Sequence, residues 1–195
     1  MKQIKYGIIQ PLTGGWVFAA KNALGYPASW IISYPGLTDV KKNKNGEITH
    51  VGNEYGVLKW LKEHNELPPY QLFNKSMFQE TDLDVNLIDD PVWSTTPVDY
   101  KDTDLVVSLP VCAGLSMASR GSAELKNEHN RNMLFNAEFT LGKIKPKIYI
   151  FENAPALFAT DYANNVRDTL NDIANKYGYS IVYYKTDTKL HDNCQ

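Results

Sequence analysis

The residue best able to do chemistry in this chain is a thiol at the end of an apolar run. In "DLVVSLPVCAGLSMAS", Asp104 to Ser119, the run reaches Pro110 and Cys112 follows two positions later. A lone cysteine is more often a small buried hydrophobe than a reagent. On a turn that leaves a strand, however, its thiolate could act as a nucleophile. A second run, "KPKIYIFENAPAL", ends in Glu152-Asn153. A carboxyl there could hold or deliver a proton, and helix capping would also account for it. The third group is "QPLTGGWVFAA", where a strand-like segment passes through Gly14-Gly15 into a helical one. Glycines let backbone approach a ligand, and a helix N-terminus favours an anion, although many such turns only reverse the chain. His191 and Cys194 have a metal-like spacing, but no second pair completes a zinc site, so no metal is expected.

The elements that must position these groups can be read from the pattern. Strand-like runs are 6–10, 30–34, 85–88, 105–109, 147–151 and 180–184, mostly short and apolar and bounded by Gly, Pro or Asp, as strands buried on both faces are. Helical stripes occupy 17–24, 54–65, 123–141 and 161–177. Strands alternating with helices predict an α/β fold with a mostly parallel, doubly wound sheet. Its ligands would lie beyond the carboxyl ends of the strands, where all three groups fall. Between Val40 and Val51, Asn45-Gly46 predicts a hairpin inserted after the second strand.

Composition narrows the classes. With 195 residues, 43% hydrophobic and 22% charged, one globular domain is expected. No leader or apolar run of about 20 residues is visible, so neither secretion nor a membrane partner is expected. Two cysteines are too few for a disulfide framework, which points to a reducing, cytoplasmic setting. A net charge of −2, with acids crowded between Glu80 and Asp104, does not announce a nucleic-acid binder.

The motifs themselves carry a resemblance. "PVCAGLS" resembles the catalytic loop of the cytosine-5 DNA methyltransferases, and "NRNMLFNAEFTLGKIKPKIYIFENAPAL" is similar to the helix, Lys-Pro-Lys strand and Glu-Asn-Val motif of that family. "PLTGGWVFAA" resembles its cofactor-binding motif, with Gln10-Pro11-Leu12-Thr13 in place of the usual wording. "NLIDDP" stands where the family carries an adenine-contacting Asp, and "YGYSIVYYKTDTKLHDNCQ" is similar to the strand that ends in the Gln of Gln-x-Arg-x-Arg. No acid follows the second strand at Ser33-Tyr34, where the family usually has a carboxylate for the cofactor ribose.

The resemblance implies a Rossmann-like methyltransferase fold that uses S-adenosylmethionine. Leu12, Thr13, Gly14, Gly15, Trp16, Asp89, Asp90 and Pro110 would meet the cofactor. Cys112 would add to C6 of a cytosine taken out of the duplex, activating C5 for methylation. Glu152, its pKa raised by partial burial, would serve N3. Asn153 would brace the cysteine loop, and Ser116 would contact phosphate. The partner is double-stranded DNA in the intact enzyme. The chain reaches Gln195 before the recognition region and final motifs, so residues 1–195 read as a catalytic core. Such a core is expected to be inactive alone and to pair with a complementary C-terminal fragment or with itself. Two alternatives remain: a non-catalytic cofactor- or DNA-binding homologue on the same fold, and a hydrolase pairing Cys112 with His129 or His191.

Overall fold

The computed structural model describes residues 3–34, 40–73, 97–115, 128–159 and 163–186. Among the described residues five strands form a parallel sheet: β1 (Tyr6–Ile9), β2 (Trp30–Ser33), β5 (Tyr70–Leu72), β6 (Leu105–Ser108) and β7 (Ile148–Phe151). Their spatial order is β5-β2-β1-β6-β7. The order reverses between β1 and β6, because β1 pairs with β2 on one side and β6 on the other. That switch point opens a crevice at the carboxyl ends of the two central strands.

Alternation along the strands sends side chains to both faces. Tyr6 and Ile8 of β1, Ile31 of β2 and Tyr70 and Leu72 of β5 pack with α1 (Gly15–Leu24) and α2 (Tyr55–Glu63). Ile9, Trp30, Ile32 and Val106 face the opposite way, against Phe135 and Phe139 of α3 (Glu128–Phe139). A five-residue π turn, Thr140–Ile144, ends α3 and leads towards β7. Beyond β7 come the short α4 (Ala156–Ala159) and then α5 (Asn164–Lys176), whose Val166, Leu170 and Ile173 stripe packs on α3 through Leu134 and Ala137. Helices thus cover both faces of the central strands, as the apolar runs predict, while one face of β7 stays exposed.

One contact fixes the centre. Gly7 lies opposite Trp30 in the β1–β2 ladder, and a Cβ at Gly7 would fall 2.1 Å from the indole ring. Only a glycine lets that ring lie across β1. The indole N–H then donates to Thr103 Oγ1 at 3.1 Å, tying β2 to the loop that enters β6.

Of three further expectations, one falls outside the described residues, one is overturned and one is met. A strand was expected at 85–88, which lies outside the described residues; the outer strand found beside β2 is Tyr70–Leu72, short and directly after Pro68-Pro69. Residues 180–184 form no strand: among the described residues no ladder partner pairs with them, and Val182 is 90% exposed. Residues 40–51 do pair antiparallel, with β3 (Val40–Lys42) on β4 (Ile48–Val51) around Asn45-Gly46. Asn43 Oδ1 accepts from the backbone N–H groups of Asn45 and Glu47, closing that turn.

Candidate active site

The first wall of the crevice is the loop after β1. Gln10 (φ 56) and Leu12 (φ 45) both take the left-handed conformation that non-glycine residues rarely adopt. Gly14 follows at φ 91 and caps α1 without a side-chain hydrogen bond. Glycine is needed here twice over, because a Cβ would also lie 2.4 Å from Val57 of α2. At Gly15 a Cβ would meet nothing within 4 Å, so the start of α1 faces open space. Thr13 is exposed, while Leu12 and Trp16 are partly buried.

The second wall is the loop after β6. Ser108 ends the strand, Pro110 is buried, and Cys112 opens a 3₁₀ turn, Cys112–Gly114, with its thiol exposed. The adjacent loop after β7 is tied to it in two places. The Glu152 N–H donates to the Ser108 carbonyl at 3.2 Å, and Asn153 Nδ2 donates to the Pro110 carbonyl at 3.3 Å. Asn153 Nδ2 also reaches Met133 Sδ of α3 at 3.3 Å, and its Oδ1 accepts from the Ala154 N–H at 2.8 Å. The Glu152 side chain is exposed, contrary to the partial burial expected of it: β7 is the last strand of the sheet, and its alternate residues Ile148 and Ile150 are exposed as well. Asp89, Asp90 and Ser116 lie outside the described residues, as do His191 and Cys194.

Sequence reasoning missed one group. Glu54, at the N-terminus of α2, is completely buried, and among the described residues neither carboxyl oxygen has a hydrogen-bond partner of good geometry. Burial pushes its pKa up to about 8, while the nearby Ser33 hydroxyl and Leu12 backbone pull the other way. Ser33 is the last residue of β2, and its hydroxyl is also buried without a partner. A carboxyl is therefore present at the end of β2 after all, supplied from beyond the β3–β4 hairpin. Its sequence signal was an acid just ahead of the Val57, Leu58 and Leu61 stripe, which reads as an ordinary helix start.

A thiol loop, a carboxyl beside it, a glycine turn and an unpartnered buried acid thus share one edge of a doubly wound sheet. Residues 65–190 match the family model described as C-5 cytosine-specific DNA methylase. The chain belongs to that family. The matched segment includes Cys112, Glu152 and Asn153, while the glycine loop and Glu54 precede it. Among curated proteins, the chain is 32% identical over 90 residues to the type II methyltransferase M.HaeII of Haemophilus aegyptius. That alignment covers 46% of this chain and 27% of the relative. Within a chain of this family, Cys112 and Glu152 follow β6 and β7, strands that pair side by side.

Two absences hold among the described residues. No group of three or more His, Cys, Asp or Glu could hold a metal ion, and no helix is long and apolar enough to cross a membrane.

Proposed function

We propose that this chain is the catalytic core of a DNA cytosine-5 methyltransferase, with Cys112 as nucleophile and Glu152 as its acid. The observation that carries the reading is the Asn153–Pro110 hydrogen bond, which holds the thiol loop against the strand end that bears Glu152. The thiolate of Cys112 forms a bond to C6 of an extruded cytosine, and Glu152 places a proton at N3 as electron density moves onto the ring. Once C5 carries the methyl group and N3 has given its proton back to Glu152, loss of the C5 proton to water returns the electron pair that expels the thiolate. Exposed in the free protein, Glu152 would be desolvated by the base itself. Ser116 would meet the DNA backbone beside that base. A type II role, acting beside a restriction enzyme, is read from the name of the relative alone.

The family's methyl donor is S-adenosylmethionine, which supplies an electrophilic methyl group when bound. The residues present fit it. The open N-terminus of α1 at Gly14–Trp16 suits a carboxylate, and the orphaned Glu54 carboxyl suits a pair of ribose hydroxyls. Leu12, Thr13 and Pro110 would line the same site, and Asp89 or Asp90 would meet the adenine. A hydrolase would leave the Glu54 carboxyl without a use, and the family match speaks against it.

With a net charge of −2, residues 1–195 have little to neutralise phosphates, so turnover by these residues alone should be slow, and help in gripping duplex DNA would come from a complementary C-terminal fragment or a second copy. The cofactor reading is therefore tested without turnover, by calorimetric titration with S-adenosylhomocysteine. Saturable one-to-one binding that weakens at least tenfold in Glu54→Gln supports it. Binding untouched by that change refutes the role of Glu54, and no binding refutes the cofactor site.

A further inference from the structure

Asn136 lies in the middle of α3, completely buried, with its amide facing the switch point between β1 and β6. Its Nδ2 donates to Gln10 Oε1 at 3.0 Å and to Ser108 Oγ at 2.7 Å. Its Oδ1 accepts from the Tyr149 hydroxyl at 3.1 Å and more loosely from Thr140 Oγ1 at 3.4 Å. Burial raises the Tyr149 phenol well above its ordinary range, against the opposing pull of the Ser108 and Thr140 hydroxyls, so it stays a donor. Gln10, Ser108 and Thr140 are themselves buried. A buried amide left unmatched would be costly, whereas this one uses both of its N–H groups and its carbonyl oxygen. The result is a stiff joint rather than a patch of polar filling.

What the joint connects is specific. Gln10 is the residue at which the chain leaves β1 and, at φ 56, turns into the Pro11–Gly15 loop. Ser108 is the last residue of β6, and its carbonyl receives the Glu152 N–H. One side-chain amide therefore grips the roots of both loops that wall the crevice. The same helix touches the two neighbouring strand ends. The Asn132 carbonyl accepts from the Tyr34 hydroxyl after β2 at 2.8 Å, and Met133 meets Asn153 after β7.

We propose that Asn136 is a positioning residue that couples the cofactor loop to the cysteine loop, so that filling the first changes the reactivity of Cys112 in the second. This rests on the reading of Pro11–Gly15 as a cofactor loop and Cys112 as the nucleophile. A shift of Gln10 on ligand binding must either pull Ser108 with it or break a buried hydrogen bond, and the coupling is the free energy of that choice.

The test follows iodoacetamide alkylation of Cys112 by peptide mass spectrometry in a Cys194→Ser background, with and without saturating S-adenosylhomocysteine. The native chain should show a rate ratio that departs from one by about threefold or more. Asn136→Leu, which keeps the volume but removes every hydrogen bond, should bring the ratio to about one while S-adenosylhomocysteine still binds by calorimetry. Ser108→Ala breaks the joint from the other end, should do the same, and replaces Asn136→Leu if that variant does not fold. A ratio kept in a folded variant, as direct shielding of the thiol by ligand would give, overturns the proposal. So does a native ratio of one with ligand bound. A native chain that binds no S-adenosylhomocysteine overturns the cofactor reading on which the proposal rests.

Discussion

Glu54→Gln should stabilise the protein in a pH-dependent way. The substitution keeps the shape of the side chain and removes its ability to ionise. In the folded protein burial pushes the Glu54 carboxyl up to about 8, against an ordinary value of 4.5. Between those two values the native state holds a proton that the unfolded chain has released. Native stability is therefore greatest below the unfolded pKa. It falls as pH rises through the window and levels off above the folded pKa. Each pH unit corresponds to roughly 1.4 kcal/mol, so the full window is worth at most about 5 kcal/mol, and relaxation around the ion should leave about half of that. The glutamine cannot ionise and should lose nothing over this window. Urea unfolding at a series of pH values from 5 to 8.5 would measure the difference. The variant should match the native protein near pH 5 and exceed it by about 2–5 kcal/mol at pH 8.5. A difference that stays flat with pH would refute the reasoning, because the buried carboxyl would then not be the group responsible.

The same linkage makes S-adenosylhomocysteine binding at pH 7 release up to about one proton, read from titrations in two buffers of different ionisation enthalpy; equal heats would show that Glu54 stays protonated in the complex. Glu152→Gln should slow the chemical step by about 10²–10⁴-fold with unfolding unchanged, because the side chain is exposed, and a single-turnover assay separates the two. Gly7→Ala should cost about 3 kcal/mol in urea unfolding, since a Cβ 2.1 Å from the Trp30 ring cannot be accommodated without moving β1 or β2. Asn153→Ala leaves the Pro110 carbonyl without that donor; it should slow adduct formation at Cys112 while the calorimetric affinity for S-adenosylhomocysteine holds within about twofold.

The sequence revealed most of the frame because its strands are short apolar runs, most of them buried. Runs such as Leu105–Ser108 and Ile148–Phe151 are apolar, end at Pro or Glu-Asn, and put Cys112 and Glu152 on neighbouring strand ends as soon as the sheet is taken as parallel. What was missed depends on contacts between distant residues. The acid at the end of β2 was sought immediately after Ser33, but the chain first makes the β3–β4 hairpin and then returns Glu54 to Ser33 at the head of α2. The strand at Tyr70–Leu72 is only three residues long, too short a run to stand out as a strand. The β-branched and aromatic residues at 180–184 read as a strand, but such propensity has no effect without a backbone partner. Nothing local marks Asn136 as the partner of Gln10, since their hydrogen bond spans 126 positions.

The central claim is that Cys112 makes the covalent bond to the base. It is tested most directly with a 5-fluorocytosine duplex, S-adenosylmethionine and this protein at high concentration and low salt, where phosphate contacts are strongest. The adduct is then digested and located by mass spectrometry. The account predicts a DNA-linked peptide that carries Cys112 and is lost in Cys112→Ser. A linkage on any other residue, or methylated product formed by Cys112→Ser, would contradict it.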